Sequence, residues 1–115
     1  MDKKHLISLI SNYSQRSLVI AEIEIIDRVL RLKLSGYIDN YNITKLIEVI
    51  EIVLSTSNYC LILDLAGMNF ISSKFVDLMR KYKIEFITLD REIRLINVSK
   101  SITDVFDILN SKDYK

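Results

Sequence analysis

The stretch Leu61-Ile62-Leu63-Asp64-Leu65-Ala66-Gly67-Met68-Asn69-Phe70-Ile71-Ser72-Ser73-Lys74-Phe75 decides how this chain folds. Tyr59 to Leu65 is a short, mostly apolar run. That is the pattern of a central strand covered on both sides. Ala66 to Ile71, with Gly67 inside it, reads as a loop. Ser72 or Ser73 then stands where a helix N-cap belongs. Phe75, Val76, Met79 and Tyr82 recur at helical spacing and predict a helix over 73–83, with Lys74, Asp77, Arg80 and Lys81 pointing outward. Such a helix start carries unsatisfied backbone N–H groups and the positive end of the dipole. A phosphoryl group on a serine there is locally well tolerated. It adds roughly two negative charges to an exposed helix end, enough to alter a protein interface. The plainer reading is that both serines only cap the helix.

Toward the N-terminus, Ala21, Ile23 and Ile25 alternate with Glu22 and Glu24, while Leu30, Leu32 and Leu34 alternate with Arg31 and Lys33. A hairpin over 19–35 with Asp27-Arg28 as its loop sets Glu24 opposite Arg31 and Glu22 opposite Lys33. The same register sets Ile25 opposite Leu30 and Ile23 opposite Leu32, so one face is apolar and the other pairs opposite charges. Asp-Arg is not a favoured two-residue turn, so a longer loop is also compatible. Ser35-Gly36 ends the second strand. Asn42 is positioned as N-cap of a helix over 43–55, whose inward stripe is Ile43, Leu46, Ile47, Ile50, Val53 and Leu54. Residues 3–14 read weakly as a helix. Beyond the central stretch, Ile93 to Val98 is another apolar strand. Ser99 or Ser101 then caps a last helix, with Ile102, Val105, Phe106 and Leu109 inward. The order helix, β, β, α, β, α, β, α predicts an α/β domain: a mixed sheet of four or more strands, with helices mainly on one face. Residues 1–17 form an N-terminal extension, 18–110 the domain and 111–115 a tail.

Composition narrows the function. Sixteen Lys and Arg stand against fifteen Asp and Glu, interspersed, so nucleic-acid binding has no electrostatic support. No apolar run approaches the roughly 20 residues of a bilayer span. The single Cys60 cannot form an internal disulfide, which fits a reducing, cytoplasmic setting. Two glycines cannot build a phosphate-cradling loop, and the one histidine, His5, excludes a Ser-His-Asp triad or a histidine-based metal site. Cys60 reads as a core cysteine, and Asp64 as a strand-end residue ordering the next loop. The six tyrosines form no stacking platform and read as core or rim residues. A non-catalytic protein with no cofactor and no metal is expected.

Gly36-Tyr37-Ile38-Asp39, after a Leu-rich strand, resembles the Gly-Glu-Leu-Asp turn of STAS domains, which include the anti-sigma-factor antagonists of bacterial partner switching. Leu61 to Leu65 followed by Phe70-Ile71 is similar to their central strand and the loop after it. The family continues Asp-Ser-Ser-Gly-Leu, its first Ser being phosphorylated by a cognate anti-sigma kinase. In register, Ser72 takes the Asp position, Ser73 the acceptor position and Phe75 the Gly position. Arg80-Lys81-Tyr82 matches the family's helix end, and Ile93 to Ser99 its later strand. The resemblance spans roughly residues 19–110. It implies a STAS-like fold and Ser73 as the candidate phosphoacceptor. It also implies a partner-binding surface of Asp39, Asn40, Ser72, Ser73 and Lys74. The implied partners are an anti-sigma factor of the serine-kinase type and a serine phosphatase. Separately, the apolar stripe of residues 3–14 calls for cover by the domain or by a second copy, so a homodimer is a further arrangement. Ser72 and Phe75 depart from the motif, so a constitutive scaffold or sensor subunit without a phosphorylation cycle is the alternative.

Overall fold

The computed structural model describes residues 2–104. The elements run α1 (Lys3–Ser11), β1 (Leu18–Ile26), β2 (Val29–Ile38), α2 (Ile43–Thr56), β3 (Cys60–Ile71), α3 (Ser73–Thr88) and β4 (Ile93–Ile96). The strands form one mixed sheet in the order β1-β2-β3-β4. β1 and β2 are antiparallel, and β2, β3 and β4 are mutually parallel. Successive parallel strands step across the sheet in one direction. Right-handed crossovers therefore place α2 and α3 on the same face.

The hairpin has the register its charges predict: Glu22 opposes Lys33, Ile23 Leu32, Glu24 Arg31 and Ile25 Leu30. The tight connection at Asp27-Arg28 is made possible by Asp27, which adopts φ +54°, a conformation Asp tolerates better than most residues. Leu30, Leu32 and Leu34 of β2 and Leu61, Leu63 and Leu65 of β3 are buried on the helix-bearing face. They meet Leu46, Val49, Ile50 and Val53 of α2 and Phe75, Val76, Met79, Tyr82 and Phe86 of α3 in one core. Leu6 and Ile10 of α1 complete it, so the N-terminal helix packs on the domain itself. That helix stops at Ser11, short of the expected residue 14, and Asp2 caps it by accepting from the His5 N–H at 2.8 Å.

Four expectations are corrected. β2 does not end at Ser35-Gly36, and Ala66 to Ile71 is not a loop: both strands run on, pairing Ser35 with Gly67, Gly36 with Met68, Tyr37 with Phe70 and Ile38 with Ile71 across two register shifts. The glycines make this possible. A Cβ at Gly67 would lie 2.7 Å from the Ser35 Cβ. Gly36 has φ +105°, and a Cβ there would lie 2.2 Å from the Ser17 carbonyl oxygen. β3 is also not covered on both sides by the described helices; Ile62 and Cys60, on the other face, stay half-buried. Finally, α3 runs five residues beyond 83, because Phe86 gives it one more fully buried side chain.

Arg91 ties three elements together. Its guanidinium donates to the carbonyls of Val53 and Leu54 in the last turn of α2 and of Tyr59 before β3, at 2.8–3.1 Å, and stacks over Phe86. A cation at a helix C-terminus also complements the dipole. Burial pushes its pKa down, but an arginine remains charged throughout the accessible range. Tyr82 links the helices by donating to Glu51 at 3.0 Å. Beyond β4, Ser99 caps the next helical turn through its hydroxyl to the Ile102 N–H, and Ile102 is buried. The expected inward residues Val105, Phe106 and Leu109 lie outside the described residues.

Candidate partner-binding surface

The carboxyl end of the parallel strands gathers the candidate residues. The Ser72 N–H donates to the Ile38 carbonyl at 2.9 Å, so the start of α3 is tied to the end of β2, where the 39–42 turn begins. That turn is organised by a reciprocal pair. Asp39 Oδ1 accepts from the N–H groups of Tyr41 and Asn42, both at 2.8 Å, while Asn42 Oδ1 accepts from the Asp39 N–H at 2.9 Å. This is a capping box one turn earlier than expected. Asn42 stands at the N-cap position of α2, but with helical dihedrals and no side-chain cap hydrogen bond. It is buried instead and donates from Nδ2 to Ser17 Oγ and the Tyr37 carbonyl. Asp39 is half-buried with its Oδ1 engaged in the turn, so it shapes the surface more than it offers a free charge. Asn40 is exposed.

Ser72 and Ser73 differ sharply. Ser72 occupies the N-cap position of α3 with an extended backbone, but its hydroxyl makes no capping bond. The Ser72 Oγ is buried and has no hydrogen-bond partner among the described residues. Ser73 is the first helical residue and is exposed, as is Lys74. In this first turn the Phe75 N–H already donates to the Ser72 carbonyl at 3.1 Å, and the Ser73 and Lys74 N–H groups precede the first i→i−4 bond. Phe75 is fully buried, so its bulk is directed into the core.

Asn40 and Lys74 also share a shallow groove of about 380 Å3 between α2 and α3. Its apolar side chains are Ile43, Ile47 and Leu78, and its charged ones Lys74, Asp77 and Lys81. On the other side of the same strand ends, the cross-strand neighbours Tyr37 and Phe70 are exposed, and Tyr41 projects from the turn at 87% exposure. The rim reading of the tyrosines holds for Tyr37 and Tyr41. Residue type does not separate those two from buried Tyr82; the helical spacing that places Tyr82 on the inward stripe of α3 does.

One polar cluster was missed. Asp64 is not a strand-end residue; it sits in the middle of β3, 1% exposed. Its Oδ2 accepts from Arg31 Nη2 at 2.6 Å, and its Oδ1 from Asn97 Nδ2 and the Ala66 N–H, both at 3.0 Å. Burial alone would push the Asp64 carboxyl up. Hydrogen bonds from Arg31, Asn97 and the Ala66 N–H, with the Arg31 charge, hold it below the ordinary carboxylate range. The Arg31 pKa is raised, first by its hydrogen bond to Asp64. The signal was an acidic residue inside an otherwise apolar strand, which demands a partner. No group of three metal-ligating side chains occurs among the described residues, and none of their helices is long and apolar enough to cross a membrane.

The STAS domain model matches residues 21–114. This chain belongs to the STAS domain family. No curated protein sequence matches it. Among solved structures, the murine Solute Carrier 26 family member A9 anion transporter in its inward-facing state is similar, with a TM-score of 0.57 and 16% sequence identity. The likeness covers 90% of this chain and 20% of the transporter chain, and it shows the shared fold. The STAS domain described here thus spans about a fifth of that protein's length.

Proposed function

We propose that this STAS domain is an anti-sigma-factor antagonist of the cytoplasm. It acts by binding and carries out no catalysis of its own. It engages an anti-sigma factor of the serine-kinase type through the surface around Ser73 and the 39–42 turn, and so frees a sigma factor. Phosphorylation of Ser73 by that partner weakens the complex, and a serine phosphatase restores it. The observation that carries this reading is Ser73 itself. It stands at the family's acceptor position, exposed, on the first turn of α3, beside a groove that shares Asn40 and Lys74.

A second reading has one specific observation in its favour. Where the family has a carboxylate, this domain has the Ser72 hydroxyl, buried and without a hydrogen-bond partner among the described residues. That hydroxyl supplies no anion to hold a basic group of a kinase. A constitutive scaffold or sensor subunit, without a phosphorylation cycle, fits that loss.

Incubation with the cognate kinase and ATP, followed by peptide mapping, separates the two. The antagonist reading expects phosphate on Ser73, none in Ser73→Ala, and partner binding weakened roughly tenfold in Ser73→Asp, about 1.4 kcal/mol. An unmodified wild-type chain that still binds the partner leaves the scaffold reading.

A further inference from the structure

We infer that the groove between α2 and α3 receives an acidic, amphipathic helix of the partner protein. The inference rests on the binding role proposed above but not on phosphorylation. The groove floor is apolar: Ile43 and Ile47 lie one turn apart on α2, and Leu78 faces them from α3. Ile47 and Leu78 pack against the core yet remain only half-buried, so they keep apolar area that a ligand can cover.

The charges around this floor are one-sided. Lys74 and Lys81 stand two turns apart on α3, about 10 Å along the axis. The acidic residue between them, Asp77, is already engaged by Arg80 at 2.8 Å. Neither lysine has an ion pair among the described residues. An occupant with apolar residues on one face and acidic residues about seven positions apart along its flank meets both features. A helix fits better than a strand. Strand addition needs an open sheet edge, and both walls of this groove are helices. The apolar floor supplies affinity, while the lysines fix orientation and partner choice.

The position of the groove couples it to Ser73. Its mouth is formed by Asn40 and by Lys74, the residue next to Ser73. A phosphoryl group on Ser73 places negative charge at that mouth and competes for Lys74. An acidic occupant is then repelled, which is the direction a release switch requires.

Two measurements test the inference. The first titrates the purified chain with a designed 16-residue helix bearing leucines on one face and two glutamates seven residues apart, followed by methyl NMR. A twin peptide carries lysines in place of the glutamates. The expected result is shifts at Ile43, Ile47 and Leu78, with at least tenfold weaker binding of the glutamate peptide to a Lys74→Glu, Lys81→Glu variant. That variant should prefer the lysine peptide. Equal binding of both peptides to the wild-type chain, or shifts confined to other surfaces, overturns the inference.

The second measurement places the photo-crosslinker p-benzoylphenylalanine at Leu78 and, as a control on the hairpin, at exposed Ile26, in the native cell. Cross-links from Leu78 to an acidic amphipathic segment of an anti-sigma factor support both the groove and the proposed function. Cross-links from Leu78 to such a segment of an unrelated protein support the groove and sink the sigma-factor reading. An anti-sigma factor that co-purifies with the chain but never cross-links through Leu78 overturns the groove alone.

Discussion

Asp64 and Ser72 lie on one continuous segment, the first inside β3 and the second just past its end, and they meet opposite fates. Asp64 brings a charge into the sheet, and three donors from three parts of the chain satisfy it. Ser72 brings only a hydroxyl to a helix start, where such groups normally find an N–H, and finds none. A fully satisfied buried polar group specifies one arrangement of the strands around it. An unsatisfied one adds nothing to the specification of its surroundings. The middle of the sheet is thus fixed by its polar contacts, whereas the start of α3 is held by its backbone and by the burial of Phe75. Within the candidate surface, polar side chains fix the 39–42 turn but not the start of α3.

The largest break in this comparison comes from removing the carboxylate. Asp64→Ala leaves Arg31, Asn97 and the Ala66 N–H without their acceptor and should cost about 2 kcal/mol in urea unfolding. The cost falls below the usual penalty for a broken buried ion pair because the Arg31 side chain is 37% exposed. A double Arg31→Met, Asp64→Leu variant should recover most of the loss. If the double variant is no better than the single, Asp64 acts through something other than its pairing.

Acid titration sharpens the same point. The Asp64 pKa is lower in the folded chain than in the unfolded one. Its contribution is therefore fully present above the unfolded value, about 4, and is lost as pH falls through the folded value. Unfolding free energy should decline below about pH 4 in the wild type, with a smaller decline in Asp64→Asn. Identical acid limbs for the two proteins would remove Asp64 from the account.

Asp39→Ala should have a smaller effect, about 1 kcal/mol, the usual cost of a lost capping side chain. Asn42 also loses its orienting partner, so the turn should loosen before the sheet does. Hydrogen exchange at the Tyr41 and Asn42 amides checks this. Acceleration confined to those amides supports the capping box, and unchanged exchange refutes it.

How far these features can be read from sequence depends on whether local or distant contacts create them. The hairpin register follows from alternation and charge, since Glu22, Glu24, Arg31 and Lys33 have one mutually satisfying arrangement. The stripe of α3 is likewise local, and only its last turn depends on the burial of Phe86. Ala66 to Ile71 misleads because Gly67 signals a turn, whereas here it permits the close approach of Ser35. The family resemblance brought Asp39, Asn40, Ser72, Ser73 and Lys74 to one end of the sheet, where the structure also puts them. It could not show that the Asp39 Oδ1 is occupied by the turn or that the Ser72 hydroxyl is orphaned. The Asp39 and Asn42 spacing was available as a capping signal. The ends of Asp64's hydrogen bonds were not, because Arg31 and Asn97 approach it only through strand pairing and a turn far away in sequence.

The smallest effect belongs to Ser72. A buried hydroxyl without a partner makes no favourable contact that alanine would lose, and its removal also lifts a desolvation cost. Ser72→Ala should therefore unfold within about 0.5 kcal/mol of the wild type, on the neutral or stabilised side. Ser72→Asp is the informative companion. Its longer carboxylate can accept from an N–H of the first turn and complement the dipole, for a gain of up to about 1 kcal/mol. It also restores the acidic residue of the family motif next to Ser73. If loss of that carboxylate is what impairs kinase recognition, Ser72→Asp should raise the rate of Ser73 phosphorylation while Ser72→Ala leaves it unchanged. A destabilisation of Ser72→Ala comparable to that of Asp39→Ala would show that the hydroxyl does have a partner in solution. The contrast between the sheet centre and the α3 start would then fail at its weaker end.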